Sequence, residues 1–192
     1  LLNRQNVISD EAQNWFILAL CKAISNCSTT TGHFAQFLNP NINNIKYYIN
    51  KRRKSVLNEM HSVIPNCIPV GTSDWRENNK VFNRDALSLL DQLIEHGEAP
   101  AVVYADPPYT EDQYSRFYHL YETLIAYDYP EVQHKAKYRK DRFRSSFSLK
   151  SVAESKIDEL INKCSLLGSD LLLSYPQNGL LGNSLESIPR LV

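Results

Sequence analysis

The sequence predicts an α/β protein in which helices flank a mostly parallel sheet, preceded by a helical N-terminal region. Two observations support this fold class. Continuous apolar runs, which are typical of buried parallel strands, occur at residues 101–105 and 171–173, and the second strand is expected near 170–174. They alternate with segments of helical periodicity, which favours a β-α-β arrangement. A short strand is also expected at 81–83. We therefore divide the chain into a helical part, residues 1–79, and an α/β part, residues 80–192.

Helices are predicted where apolar residues recur at helical spacing and where capping residues mark the ends. Asp10 can cap the first of these helices. Gly97 and Gly168 are suited to end two later ones, because glycine readily adopts the left-handed conformation. The five predicted helical segments are residues 10–26, about 43–62, 86–96, 117–127 and about 149–164.

The composition limits the function classes to be considered. Lys plus Arg and Asp plus Glu number 21 each, so the net charge is zero and bulk charge indicates no particular partner. The longest apolar stretch, residues 15–21, is far shorter than the roughly 20 residues that cross a bilayer, so no membrane association is expected. The cysteines form no C-x-x-C pair, which favours reduced thiols in a cytoplasmic protein over disulfides or a metal site.

The residues that indicate chemistry are Asp106-Pro107-Pro108-Tyr109, directly after the predicted strand 101–105. Ligands bind outside the carboxyl ends of strands in parallel α/β sheets. The Asp106 carboxylate and the Pro107 carbonyl are two acceptors that suit an amino group such as that of adenine. Tyr109 offers a flat face on which an extruded base can stack. Methyl transfer from a sulfonium donor would then need mainly positioning. The alternative is a proline-rich turn with a capping Asp.

This motif and its surroundings resemble the Dam-type DNA adenine methylases, which are S-adenosylmethionine-dependent amino-methyltransferases, in a restriction–modification branch. The likeness includes Gln-Tyr-Ser-Arg-Phe-Tyr-His-Leu-Tyr-Glu-Thr-Leu at 113–124, Ser-Phe-Ser at 146–148 and Leu-Leu-Leu-Ser-Tyr at 171–175. It is strongest over residues 80–180 and weaker over 1–70. The resemblance implies a Rossmann-like methyltransferase sheet and methyl transfer to the 6-amino group of adenine in DNA.

The resemblance also implies roles for individual residues. Asp106, Pro107, Pro108 and Tyr109 would be the catalytic residues that hold the flipped adenine. Asp85, which follows the short strand predicted before the motif, and Asp106 would bind the cofactor S-adenosylmethionine. Asp85 is equally suited to cap the helix that follows it, and it can do both. No metal site is implied.

Further expectations concern the substrate, the partner and the extent of the chain. The resemblance implies double-stranded DNA as substrate and a cognate restriction endonuclease as partner. The family's Gly-rich loop and its ribose-binding acidic residue are not found in this sequence, and Leu1 matches a point just after the family's second strand. We therefore expect an internal piece of a longer protein, holding half of the cofactor site. Two alternatives stay open: an RNA base amino-methyltransferase, and a truncated DNA-binding fragment without turnover.

Two basic segments are candidates for contacts with DNA phosphates. The first, residues 46–54, lies within 27–79, where the resemblance places target recognition. The second, residues 134–144, interleaves Lys and Arg with Tyr138 and Phe143. We expect the second segment to be a mobile loop without DNA, because like charges repel and few apolar groups can anchor it. The DNA-binding candidates are Lys51, Arg52, Arg53, Lys137, Arg139, Arg142 and Arg144.

Overall fold

The computed structural model describes residues 9–182. The chain divides into two compact units, which are described separately. The first is Leu1–Asn78 with Arg116–Arg142, and the second is Asn79–Ser115 with Phe143–Val192. Most of both basic segments belongs to the first unit, and the Asp-Pro-Pro-Tyr motif belongs to the second. The functional division of the chain after residue 79 stays a prediction.

Short helices dominate the described residues, and none of the helices within 9–182 has the length and apolarity needed to cross a membrane. Two single turns of 3-10 helix add to them, at Ile64–Asn66 and Ser146–Ser148. The named elements in chain order are α1 (Asp10–Cys27), α2 (Ile45–Arg53), α3 (Val56–Val63), α4 (Ser73–Glu77), α5 (Ala86–His96), β1 (Val102–Ala105), α6 (Tyr114–Phe117), α7 (His119–Ala126), β2 (Val132–Gln133), β3 (Tyr138–Arg139), α8 (Ala153–Leu167) and β4 (Asp170–Leu173).

In the first unit, α1 packs against α3 through small and apolar side chains. The Ser9 hydroxyl caps α1 by accepting a hydrogen bond from the Ala12 amide at 3.2 Å, which is a frequent role of serine at helix N-termini. Ala19 and Ala23 of α1 are fully buried, and Met60 of α3 is nearly so. The first helix predicted from the sequence is therefore confirmed.

The helix predicted at 43–62 is two helices in the structure. Lys54 and Ser55 adopt extended backbone conformations, and they separate α2 from α3. Serine competes for backbone hydrogen bonds and so favours a helix start over a helix interior. The apolar spacing on both sides of the break has the same period, which is why the sequence pattern suggested one continuous helix.

The helix predicted at 117–127 is also interrupted, at Tyr118, which separates α6 from α7. The backbone carbonyl of Phe117 accepts a hydrogen bond from the amide of Phe34 at 2.9 Å. This bond joins segments that are more than 80 residues apart in sequence. A long-range contact of this kind leaves no trace in local periodicity, so the break could not be predicted.

In the second unit, β1 and β4 form a parallel pair with Val103 opposite Leu171 and Ala105 opposite Leu173. These four side chains are partly buried against a core built mainly on α5 and α8. Both apolar runs of the sequence are thereby confirmed as strands. The buried residues of this core are Leu87, Leu90, Phe147, Ala153, Ile157, Leu160, Cys164, Leu167 and Leu181.

Glycine ends both helices that cover this sheet. Gly97 and Gly168 follow α5 and α8 with φ values of 67° and 69°, the left-handed conformation that favours glycine. The prediction of a helix at 86–96 is confirmed. The helix predicted at 149–164 begins and ends three to four residues later, at Ala153–Leu167.

The opposite face of the β1–β4 pair is not covered by the described residues. Val102 and Tyr104 of β1 and Leu172 of β4 alternate with the covered positions, and their exposed fractions are 56%, 64% and 59%. Parallel sheets usually carry helices on both faces. This pair therefore presents an apolar surface on the side away from α5 and α8.

The strand predicted at 81–83 is not formed, and this expectation is wrong. Val81 is 97% exposed and Phe82 is 42% exposed. A strand persists only when its backbone groups pair with a neighbour, and among residues 9–182 β1 pairs with β4 alone. The described residues therefore form a mixed α/β structure with two separate two-stranded sheets.

Replacing Ile157 by Ala is expected to lower the free energy of unfolding by about 2–5 kcal/mol. The reason is that Ile157 is 2% exposed at the centre of the core on α8. Leu166→Ala on the same helix is the matched control, because Leu166 is 75% exposed, and its change should stay within about 0.5 kcal/mol. Urea unfolding measures both, and equal losses would contradict the packing of α8.

Candidate active site

The carboxyl ends of β1 and β4 meet at one end of the parallel pair. The Ser174 amide donates a hydrogen bond to the Ala105 carbonyl at 2.8 Å, so pairing continues one residue beyond β4. Asp106 and Tyr175 follow these two residues in the chain. This is the end of a parallel α/β sheet at which ligands bind.

The Asp106–Tyr109 turn exposes its carboxylate and its aromatic ring. Asp106 is exposed, Pro107 is buried and Pro108 is half-buried, while Tyr109 is 41% exposed. Neither proline carries an N–H, and each fixes its own φ. The far end of the turn is held by the backbone, because the Leu180 amide donates to the Tyr109 carbonyl at 3.0 Å. A rigid turn thus presents an acceptor and a flat ring to solvent.

A second tyrosine lies against this turn, on residues 174–182, which we call the Tyr175 loop. The rings of Tyr109 and Tyr175 meet edge to face, with centroids 6.3 Å apart and planes at 79°. Such pairs contribute about 0.5–1.5 kcal/mol. Burial raises the pKa of the Tyr175 hydroxyl, and the backbone amides of Leu181 and Leu180 partly offset this. Tyr175 belongs to a family-like stretch, but no feature of that stretch in the sequence assigns it a role.

Asp85 caps α5, as one of its two predicted roles requires. Its Oδ1 accepts hydrogen bonds from the amides of Leu87 and Ser88, both at 3.1 Å. Asp85 was also a candidate cofactor ligand, because it was expected to follow a strand at 81–83. That strand is not formed, so this basis for the assignment is lost. The cap uses Oδ1 alone, so Oδ2 is not committed to it. The cofactor role of Asp85 stays a prediction.

A buried polar network follows the motif, and sequence reasoning missed it. The Gln113 side chain donates to the Ser145 carbonyl (3.2 Å) and accepts from the Ser145 amide (2.7 Å). The Ser115 hydroxyl donates to the Phe143 carbonyl at 2.7 Å. Gln113 is 6% exposed and Ser115 is 1% exposed, so their hydrogen bonds are needed to offset desolvation. We call these two residues the polar clasp; they join the family-like stretch after the motif to the segment that leads into Ser146–Ser148.

The first basic segment covers most of α2, and Lys51–Arg53 form its last turn, where positive charge is favourable to the helix dipole. The Lys51 ammonium donates to a backbone carbonyl of α1 at 2.7 Å and lies 5.5 Å from the centroid of the Tyr47 ring. Arg52 lies over Tyr48 at the same distance, and Arg53 is exposed. Two adjacent tyrosines of this helix thus lie against two of its basic side chains, and Arg52 and Arg53 are exposed.

The second basic segment begins in the turn between β2 and β3 and includes β3, so part of a hairpin is found where a loop was expected. Tyr138 is 6% exposed, and the Arg142 guanidinium lies 5.0 Å from its ring centroid. The expectation of a loop is therefore wrong for β3, where Tyr138 anchors the segment, and the expected mobility without DNA stays a prediction. Lys137, in the hairpin turn, and Arg144 are exposed.

Arg139 forms ion pairs on both sides of the hairpin. Its guanidinium donates to Asp128 at 2.5 Å and to Asp141 at 2.9 Å. These hydrogen bonds lower the pKa of both carboxyl groups and raise the pKa of Arg139. The repulsion expected among the basic residues is reduced here, because two nearby carboxylates compensate the most enclosed guanidinium.

A parallel strand pair that leads into an exposed Asp-Pro-Pro-Tyr turn is typical of one class of protein, the α/β amino-methyltransferases. A profile of the D12 class N6 adenine-specific DNA methyltransferases matches residues 77–172, which is half of the chain. The chain belongs to this family. The resemblance seen in the sequence is thereby confirmed.

Two curated relatives extend the match. The type II methyltransferase M.FokI of Planomicrobium okeanokoites is 37% identical over 112 residues, which is 57% of this chain and 16% of that protein. The modification methylase LlaI of Lactococcus lactis subsp. lactis is 25% identical over 180 residues, which is 94% of this chain and 26% of that protein. The chain thus spans about a quarter or less of the length of these relatives. No solved structure matches the chain significantly.

The carboxyl groups of Asp128 and Asp141 are expected to titrate below their ordinary value of 3.8. Since both pKa values are lowered, their stabilisation of the hairpin is present at neutral pH and is lost as the pH falls through the lowered values. Carbon-13 chemical shifts of the two carboxyl groups measure this. Arg139→Gln should return both midpoints to about the ordinary value. Midpoints that are unchanged in Arg139→Gln would contradict the ion pairs.

Proposed function

We propose that this chain supplies the catalytic part of an enzyme that transfers a methyl group from S-adenosylmethionine to the 6-amino group of adenine in DNA. One observation carries the proposal. The Asp-Pro-Pro-Tyr turn lies at the carboxyl end of β1 with its carboxylate and its ring exposed. Membership of the D12 class family supports the substrate. The two relatives are a type II methyltransferase and a modification methylase, which supports a restriction–modification role alongside a cognate endonuclease.

The chemistry assigned to the turn is the activation of a weakly nucleophilic amine. The adenine amino nitrogen donates its lone pair into the ring. Acceptors on both of its hydrogens, the Asp106 carboxylate and the Pro107 carbonyl, would localise that lone pair on nitrogen. Pro108 would keep the backbone fixed without offering a competing N–H. Tyr109 would stack on the flipped base.

The carboxylates of this chain fit part of a cofactor site. S-adenosylmethionine presents amino groups, and carboxylate oxygens are suitable acceptors for them. Asp85 Oδ2, which is not used by the helix cap, would accept from the adenine ring of the cofactor, and Asp106 would contribute a further acceptor. The cofactor, when bound, supplies an electrophilic methyl group on a sulfonium.

We further propose that β1 and β4 belong to a wider Rossmann-like sheet. The support is their uncovered face, on which Val102, Tyr104 and Leu172 are each more than half exposed. Parallel sheets buried on both faces carry apolar residues at successive positions, as these strands do.

We assign DNA phosphate contacts to the basic residues of both segments. The assigned residues are Lys51, Arg52, Arg53, Lys137, Arg139, Arg142 and Arg144. Among them Arg139 is compensated by two carboxylates, so its role would be to hold the hairpin in shape. The exposed Lys137 and Arg144 would make the more direct contacts. Such contacts position a duplex and carry no sequence information.

In the full-length protein, Asp106→Ala is expected to lower methyl transfer to DNA at least about a hundredfold, because the amino group loses a positioned acceptor. Duplex affinity should survive, since it depends on phosphate contacts. Incorporation of labelled methyl groups into unmethylated DNA measures the first effect, and filter binding measures the second. Asp158→Ala on the exposed face of α8 is the matched control. Near-normal turnover of Asp106→Ala would refute the assigned role.

The same assay discriminates between the proposed function and its alternatives. Methylation of ribosomal RNA in preference to DNA would favour an RNA base methyltransferase. DNA binding by the full-length protein without cofactor binding or turnover would favour a binding fragment.

Replacing Lys137 and Arg144 together by Gln is expected to weaken binding to all duplex sequences alike. Each phosphate contact that is lost should flatten the slope of log affinity against log salt by about 0.9. The double variant Lys22→Gln/Lys150→Gln removes two exposed positive charges elsewhere and serves as the control. Salt-dependent filter binding of the full-length protein measures the slopes. Equal slopes of log affinity against log salt in both double variants would show that the second basic segment is a solvated surface that does not contact DNA phosphates.

A further inference from the structure

We propose that Tyr175 is a positioning residue for Tyr109, and that Gly179 is a glycine because the Tyr175 ring occupies the space its side chain would need. This inference rests on the proposed function, in which Tyr109 stacks on the flipped adenine. It assigns a part in the reaction to a loop that follows β4 and lies outside the Asp-Pro-Pro-Tyr motif.

The first step is the support that the Tyr175 loop gives to Tyr109. The Tyr175 ring meets the Tyr109 ring edge to face at 6.3 Å, and the Leu180 amide donates to the Tyr109 carbonyl at 3.0 Å. One loop therefore contacts both the ring and the backbone of the same residue. Tyr109 keeps 41% of its surface exposed, which leaves room for a base.

The second step concerns the close packing of Tyr175 on Gly179. A Cβ placed on Gly179 would lie 2.5 Å from Cε1 and 3.1 Å from Cζ of the Tyr175 ring. Distances this short are not tolerated, so any side chain at 179 would displace the ring. Glycine is required at position 179 for steric reasons and not for its backbone conformation, because Gly179 does not have a left-handed φ.

The third step is the anchoring of the loop itself. The Gly179 amide donates to the Pro176 carbonyl, and the Gly182 amide donates to the Gly179 carbonyl, both at 3.0 Å. Leu181 is 6% exposed within the core of the second unit. The position of Tyr175 is thus set by the core through a short, hydrogen-bonded loop.

A stacking ring is effective only when it is oriented before the base arrives, because small misplacements near a reacting group cost large factors in rate. Without the edge-to-face contact with the Tyr175 ring, the Tyr109 ring should be free to rotate. The amino group would then be held less often in line with the methyl donor. The rate constant of the bound complex should fall, while the phosphate contacts that set duplex affinity should not change.

The experiment compares Tyr175→Leu, which keeps apolar bulk, with Tyr175→Phe, which keeps the ring. In the full-length protein, we expect Tyr175→Leu to lower kcat about tenfold, with unchanged KM for DNA and unchanged duplex affinity. Tyr175→Phe should retain wild-type kcat. Tyr129→Ala, which removes a tyrosine ring that is 95% exposed, is the control. Melting temperatures verify that each variant is folded.

A double-variant cycle tests the partnership with Gly179. Gly179→Ala alone should lower kcat about as much as Tyr175→Leu, because the added methyl group displaces the ring. Combining Gly179→Ala with Tyr175→Leu should cost no more than either change alone, since the displaced ring is already absent. Independent effects that multiply in the double variant would overturn the steric account of Gly179.

The outcomes separate this inference from the function on which it rests. Wild-type kcat in Tyr175→Leu, together with an inactive Asp106→Ala, would overturn the role of Tyr175 and leave the proposed function intact. A rise in KM or a loss of duplex affinity without a change in kcat would also overturn it. If the wild-type full-length protein transferred no methyl group to DNA, both the proposed function and the positioning role would be overturned.

Discussion

The parallel pairing of β1 with β4 is the constraint on which the candidate site depends. Its ladder extends one residue beyond β4 through the hydrogen bond from Ser174 to Ala105, so two segments that are about 70 residues apart leave the sheet side by side. One of them becomes the Asp106–Tyr109 turn and the other becomes the Tyr175 loop. The helices α5 and α8 fix the strand pair in place. They pack on one face of it, and the exposed apolar residues lie on the other face. The chemistry assigned to the turn therefore depends on a backbone pairing and a small apolar core.

Local signals explain why parts of the fold could be predicted from the sequence. The helix α5 has its N-terminal cap, Asp85, and its terminating glycine, Gly97, next to it in the chain. The prediction of a strand at 81–83 was wrong because a strand depends on a partner strand that its own residues do not specify. The hairpin was not predicted, because the burial of Tyr138 and the carboxylates around Arg139 depend on residues that meet only in the folded chain.

The same distinction applies to the site. Asp106 and Tyr109 could be singled out in the sequence because they belong to one short motif that follows a strand and combines an acceptor with a flat ring, and their roles stay predictions. Tyr175 and Gly179 lie more than 60 residues later, and neither has a chemical property that sets it apart in the sequence. Their relation is visible only in the folded structure, where a Cβ placed on Gly179 would lie 2.5 Å from Cε1 of the Tyr175 ring. Packing constraints of this kind are invisible to motif analysis because they belong to pairs of residues.

The polar clasp has a consequence for how the chain tolerates change. The Ser115 hydroxyl bonds to the Phe143 carbonyl at 2.7 Å, so the segment 116–142 leaves and re-enters the second unit at neighbouring points. Because the entry and exit points are fixed by Gln113 and Ser115, a change of length within the segment need not be transmitted to β1 and β4. Within the first unit, Phe117 and Tyr138 are themselves held by a hydrogen bond and by burial, so the tolerated changes are confined to exposed positions of the segment, such as Tyr129 and Lys137.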